Sequence, residues 1–109
     1  MMAMMSRGEV WEVVLDPTKG SEQQGLRPCV VVSPDSMNEQ LETVIIVPLT
    51  TKLKDWPTRV QTEVNGQIGQ AACEQIRTIS RLRLKKKKAK LNLSEIVQIR
   101  LVLRQMLFD

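Results

Sequence analysis

Hydrophobic and polar positions alternate with a two-residue period through most of the chain. Over residues 8–15, Trp11, Val13 and Leu15 fall on one face and Val10, Glu12 and Val14 on the other, which predicts a first strand ending at Asp16-Pro17. Cys29-Val30-Val31-Val32 predicts a short buried strand closed by the turn-forming Ser33-Pro34-Asp35-Ser36. Residues 37–42 have room for one helical turn or none. Thr43-Val44-Ile45-Ile46-Val47-Pro48-Leu49 is the most apolar stretch, and Pro48, which cannot donate to a ladder, predicts an edge or a bulge there. From Thr58 to Val64 the alternation is nearly perfect, with Val60, Thr62 and Val64 opposite Arg59, Gln61 and Glu63, so this strand has one wet side. Asn65-Gly66 has the residue types of a tight hairpin turn, and residues 69–74 predict a short strand carrying Cys73 inward. Ile76, Thr78 and Ile79 lead into Arg81-Leu82-Arg83-Leu84 as a further strand or an irregular edge.

Only the C-terminal segment changes period. Ile96, Ile99, Val102, Leu103 and Met106 recur at helical spacing after Asn92, Ser94 and Glu95, which can cap a helix, and that stripe predicts core. Val97 and Leu101 lie off the stripe and suggest either a subunit interface or a loosely covered helix. Between strands and helix, Lys85-Lys86-Lys87-Lys88 with Lys90 resists burial and reads as a solvated connector, the alternative being a phosphate-contacting patch. Five or six short strands and one terminal helix predict a small, strongly curved antiparallel sheet or barrel, mainly β, in a single domain spanning residues 1–109.

One polar loop stands out between the first two strands. In Gly20-Ser21-Glu22-Gln23-Gln24-Gly25-Leu26-Arg27-Pro28 the proline biases Arg27 toward an extended conformation at the mouth of the next strand. A guanidinium held there is a candidate anion site, because its planar fork matches a phosphate and stays charged at any working pH. The plain alternative is a surface hairpin with an exposed arginine.

Composition narrows the chemistry. The chain has 109 residues, a formal net charge of +4 and no histidine, which favours an anionic partner and excludes histidine-pair nuclease chemistry, the Ser-His-Asp triad and imidazole metal sites. Aromatic residues make up only 3%, so Trp11, Trp56 and Phe108 are the only rings available to stack on a base. Cys29 and Cys73 match no redox or metal pattern and predict two buried thiols. The opening Met-Met-Ala-Met-Met-Ser-Arg is too short and too soon charged for a leader, and no apolar run reaches membrane-spanning length, so the expected location is cytoplasmic, with no membrane partner.

Taken in order, Arg7-Gly8-Glu9-Val10-Trp11, Leu15-Asp16-Pro17-Thr18-Lys19-Gly20-Ser21-Glu22-Gln23, Gly25-Leu26-Arg27-Pro28, Val47-Pro48-Leu49-Thr50 and Glu74-Gln75-Ile76-Arg77-Thr78-Ile79 closely resemble the MazF/PemK/Kid toxins of bacterial toxin-antitoxin pairs. The likeness spans nearly the whole chain. It implies an SH3-like small antiparallel β-barrel with a C-terminal α-helix and a homodimer. It also implies a sequence-specific endoribonuclease (mRNA interferase) that cuts single-stranded RNA, inhibits translation and growth, and is neutralised by a cognate antitoxin with an acidic disordered segment. It implies no cofactor and no metal, and contact with DNA only indirectly, through the antitoxin. Carried over by residue, the catalytic pair falls on Arg27 and Thr50, while RNA contact or support of the site falls on Ser21, Glu22, Gln23, Thr51, Glu74, Gln75 and Arg77. In the Kid/PemK branch a histidine takes the place of Ser21 and an arginine that of Ala72, so this chain stands nearer the MazF branch and lacks those two groups.

Metal-free RNA cleavage needs the substrate's 2′-hydroxyl to attack phosphorus, a proton acceptor, donors for the growing charge, and a proton for the leaving 5′-oxygen. Arg27 suits the charge. Thr50 can hydrogen-bond a non-bridging oxygen or relay a proton. Glu22 and Glu74 are candidate bases if burial raises their pKa, the alternative being ion pairs with Arg27 or Arg77. A rival reading is a non-enzymatic inhibitor on the same scaffold, as in the gyrase-poisoning CcdB toxins. Those end in a Trp-Gly-Ile type tail, whereas this chain ends Arg104-Gln105-Met106-Leu107-Phe108-Asp109.

Overall fold

A computed structural model describes residues 5–15 and 25–109. The strands are β1 (Glu9–Val14), β2 (Leu26–Val31), β3 (Thr43–Thr50), β4 (Arg59–Val64), β5 (Gln67–Ala72), β6 (Arg77–Ser80) and β7 (Leu84–Lys90). Two α-helices accompany them, α1 (Asp35–Gln40) and α2 (Leu93–Leu107), with single 3-10 turns at Cys73–Gln75 and Arg81–Arg83. The strands form one curled antiparallel sheet in the order β4-β5-β3-β2-β1-β7, and β6 joins on β3. This is the small curved sheet with a C-terminal helix that the pattern predicts, with seven strands among the described residues where five or six were expected.

The sheet is buried on both faces at its centre, which explains why its strands read as apolar runs. Trp11 and Val13 of β1, Cys29 and Val31 of β2, and Val44 and Ile46 of β3 pack on one side with Ile79 and Leu84. Val10, Val30, Val47 and Leu49 point to the other side and meet Val60, Ala71, Cys73 and Ile99 of α2. Strand β3 switches neighbours along one edge. Its first half pairs with β6, from Thr43 opposite Ser80 to Ile46 opposite Arg77, and its end pairs with β5, Leu49 opposite Ala71 and Thr50 opposite Gln70. Pro48 lies in the interval between those two ladders, where a missing N–H costs no bond to either.

Two sequence expectations are corrected. The lysine run is no connector: it lies within β7, which pairs with β1, because ladder bonds use only the backbone and the lysine side chains stay in water on an edge. Lys87 and Lys88 face Glu9 at 3.0 Å and Glu12 at 3.4 Å. The stripe of α2 is core through Ile99, with Ile96, Val102 and Leu103 packed against it, but Met106 in the last turn is exposed. Residues 77–80 form β6 on β3 and residues 81–83 a 3-10 turn leading into β7, in keeping with the strand or irregular edge expected there.

Local signals hold where they are mechanistic. Asn65 and Gly66 both have positive φ, 51° and 85°, and close the two-residue β4–β5 hairpin. Asn92 caps α2 through a reciprocal pair: its side chain accepts from Glu95 N–H at 2.8 Å, and Glu95 Oε1 accepts from Asn92 N–H at 2.9 Å. Glu95 Oε2 also accepts from Glu63 N–H at 2.8 Å, tying the helix start to β4. No helix among the described residues is long and apolar enough to cross a membrane. Asn92→Ala is expected to lower folding stability by about 0.5–2 kcal/mol, measured as a lower urea midpoint, while Asn92→Asp, which keeps the acceptor, stays near the parent.

Candidate nucleic-acid cleavage site

Strand β2 pairs with β3 in the register Val31–Ile46, Val30–Val47, Cys29–Pro48. Continuing that register by two residues brings Arg27 and Thr50 opposite one another, just past the prolines that stop the ladder. Arg27 is exposed and Thr50 half-buried. Both line one open groove of about 550 Å³, together with Thr51, Lys52, Thr62, Asn65, Gly69 and Lys88. Gly69 sits where a Cβ would fall 2.7 Å from the Thr50 carbonyl oxygen, so only glycine lets β5 close against this end of β3. The Thr50 hydroxyl oxygen accepts from Lys52 N–H at 3.0 Å, which leaves its own proton available to a ligand in the groove.

The groove is electropositive by composition. Arg27, Lys52 and Lys88 line it, and no carboxylate does so among the described residues. Such a surface suits a phosphodiester whose charge grows during reaction.

Of the residues singled out from sequence, Arg27, Thr50 and Thr51 come together in the groove. Ser21, Glu22 and Gln23 lie outside the described residues. Glu74 does not line the groove and pairs with neither Arg27 nor Arg77. Arg59 holds it, Nη2 to Oε2 at 2.8 Å and Nε to Oε2 at 2.9 Å, while Thr58 donates its hydroxyl to Oε1 at 2.7 Å. Burial alone would raise the Glu74 pKa, but the bonds from Arg59 and Thr58 outweigh it and hold the carboxyl below its ordinary 4.5. A carboxylate so held is a weaker base, contrary to the condition under which it was a candidate. Gln75 is exposed at the end of its 3-10 turn, and Arg77 donates to the Leu15 carbonyl at 3.4 Å, beneath the base of the β1–β2 connection.

Sequence reasoning missed Lys52, Gly69 and Lys88 as groove residues and Arg59 as the partner of Glu74. The only signal for Lys88 was the lysine run, and nothing in the alternation of β4 set Arg59 apart from Gln61 and Glu63. The thiols are inert: burial pushes Cys29 up to about 12 and Cys73 up to about 11, so neither is a thiolate near neutrality.

Acid titration should report these pairings. Glu9 is also held below its ordinary 4.5, because bonds from Ser6 N–H, Trp11 Nε1–H and Lys87 overcome the effect of burial. Both carboxyls bind protons less readily when folded, so their stabilisation is complete above the unfolded pKa and is lost as pH falls through the lower folded values. The urea midpoint is expected to be flat from neutrality to about pH 5.5 and to drop below about pH 4.5. Glu74→Gln should lower the neutral plateau and make the acid limb shallower.

Comparison with known proteins places this geometry in context. A family profile described as the PemK-like, MazF-like toxin of type II toxin-antitoxin systems matches residues 6–107. A protein of Mycobacterium tuberculosis named Endoribonuclease MazF9 is 37% identical over 106 residues, covering 88% of this chain and 90% of that one. Endoribonuclease MazF of Staphylococcus saprophyticus is 38% identical over 90 residues, covering 77% of this chain and 75% of its own. Among solved structures, MazF from Deinococcus radiodurans superposes with a TM-score of 0.82 at 24% identity, over 97% of this chain and 98% of that chain. An endoribonuclease in complex with its cognate antitoxin from Mycobacterial species superposes with a TM-score of 0.79 at 22% identity, over 94% and 93%. At these identities the superpositions speak for the fold.

Proposed function

The chain belongs to the PemK-like, MazF-like toxins of type II toxin-antitoxin systems, and from that premise we propose that it is an endoribonuclease toxin which cuts single-stranded RNA with Arg27 and Thr50. The relatives named as endoribonucleases support the activity. The observation that carries the residue assignment is the meeting of Arg27 and Thr50 in one cationic groove of a chain without histidine. Non-enzymatic inhibition on the same scaffold is not favoured, since those two residues would then have no task.

In the proposed reaction the ribose 2′-oxygen attacks the adjacent phosphorus, its proton passes to a base, and the P–O5′ bond breaks as the leaving oxygen takes up a proton. The products are a 2′,3′-cyclic phosphate and a 5′-hydroxyl end. Arg27 donates to the non-bridging oxygens as their charge builds, a contribution of roughly 2.7–4 kcal/mol for one well-placed donor. Thr50, oriented by the Lys52 N–H, turns its hydroxyl proton to the same phosphate. Of the two glutamates weighed as base, Glu74 is engaged with Arg59, which counts against it, and Glu22 lies outside the described residues. No metal and no cofactor enter this scheme.

The proposed partners are RNA, a cognate antitoxin and a second copy of the chain. An antitoxin with an acidic disordered segment suits a basic surface, with affinity falling as salt rises. For the second copy, α2 presents Val97 and Leu101, 41% and 50% exposed, beside Leu107 and Phe108. Such a run on one helix is unusual for a face left in water. The action is placed in the cytoplasm, where translation is the target.

Arg27→Ala and Thr50→Ala should remain folded and lose about 10²–10³-fold in kcat on a long RNA, as expected for a lost oxyanion donor. A single deoxyribose at the cut position should block cleavage, and a chelator should not. Normal cutting by either variant removes the site assignment. Sedimentation should show a dimer that Val97→Asp with Leu101→Asp converts to monomer.

A further inference from the structure

The segment after Thr50 is held by side chains that never reach the groove. Arg59 lies at the start of β4 with its side chain only 5% exposed and is fixed by Glu74, whose Oε1 accepts from the Thr58 hydroxyl. Its remaining nitrogen, Nη1, points the other way and donates to the Lys52 carbonyl at 3.2 Å and to Gln70 Oε1 at 3.1 Å. Gln70 in turn grips Lys54 from both sides: Oε1 accepts from Lys54 N–H at 3.0 Å and Nε2 donates to the Lys54 carbonyl at 3.0 Å. The Arg59 guanidinium also stacks on Trp56, 4.6 Å from the ring centre, with Lys54 Nζ 5.5 Å from the same ring. One arginine therefore touches Lys52, Gln70, Glu74 and Trp56 at once.

These contacts converge on the groove through a single residue. Lys52 offers its carbonyl to Arg59 and its N–H to the Thr50 hydroxyl oxygen. Fixing the first constrains the second, because both belong to one residue. Arg59 donates through three nitrogens, a fork that a lysine cannot reproduce.

We propose that Arg59, anchored by Glu74 and relayed by Gln70, is a positioning residue that holds the residue 51–56 connection against the groove and so sets the orientation of the Thr50 hydroxyl. This rests on the reading of Thr50 as part of the cleavage site. It gives Glu74 the role of anchor in place of proton acceptor. A small displacement of a reacting group is enough to cost about a hundredfold in rate, so a clamp this close to Thr50 acts on turnover more than on binding.

The test compares Arg59→Met, Arg59→Lys, Glu74→Gln and Gln70→Ala in the full chain with the parent. The readouts are kcat and KM on a long RNA, acrylamide quenching of Trp56, and hydrogen exchange of the Lys52 and Lys54 amides. Trp11, the other tryptophan, is 7% exposed, so quenching reports mainly on Trp56. Glu74 is not among the groups stacked on Trp56, so Glu74→Gln takes no group off the ring directly, and exchange of the Lys52 and Lys54 amides reads the connection itself. The expected result is faster amide exchange and greater quenching in Glu74→Gln and Arg59→Met. With it, kcat should fall about tenfold to a hundredfold while KM moves less than about threefold. Arg59→Lys should fail to restore kcat, since a point charge lacks the fork.

Parent-like amide exchange and kcat in Arg59→Met, or full activity in Arg59→Lys, would overturn the proposal. Should Arg59→Met fail to fold, Gln70→Ala, which leaves the Arg59–Glu74 pair intact, decides by the same readouts: protected amides and parental kcat overturn the clamp. If Thr50→Ala cuts RNA normally, the site reading fails, while amide exchange still reports independently on whether Arg59 holds the connection.

Discussion

Everything that brings the groove together depends on one strand being paired along both edges and packed on both faces. Strand β3 carries β2 on one edge and, in succession, β6 and β5 on the other. Its even-numbered residues Val44 and Ile46 enter one core and its odd-numbered Val47 and Leu49 the other. A slip of one residue would exchange the two sets and expose neither gain nor alternative partner, so the register is strongly specified. With that register set, Thr50 leaves the core opposite Arg27 without freedom to settle elsewhere.

The same constraint separates the charges. Among the described residues, Glu9 is engaged with Lys87, Glu12 with Lys88, and Glu74 with Arg59. The described lining of the groove holds cations, hydroxyls, amides and apolar groups and no carboxylate. That division suits a reaction in which negative charge develops on a phosphate, because preorganised donors do not have to reorient as the charge grows. In the proposed reaction it lets a chain without histidine meet an RNA phosphate with Arg27 and Thr50 as donors.

The connection after β3 and the hairpin β4–β5 form a second layer of support. Gly69 permits close approach to the Thr50 backbone, and Arg59 and Gln70 from the flanking strands grip Lys52 and Lys54. Thr50 thus stands at the end of a rigid strand and at the start of a braced turn, the arrangement most able to keep a hydroxyl in one rotamer.

Two-residue alternation, the Asn65-Gly66 turn, the Asn92 cap and the family likeness were all readable along the chain, because each is a local relation between neighbours in sequence. Arg27 and Thr50 were singled out through the family likeness, with Pro28 biasing Arg27 toward an extended conformation. The partner of Glu74 was not: Arg59 is separated from it by the β4–β5 hairpin, and its alternation matched that of Gln61 and Glu63. Nor did a run of lysines announce a strand, as an edge ladder is built from backbone groups that carry no side-chain signature. Local order therefore settled which residues turn, pair and cap, whereas the meeting of Arg59 with Glu74, Lys52 and Gln70 was decided only by the packed sheet, because ion pairs and hydrogen bonds between distant residues depend on distances that the folded chain alone sets.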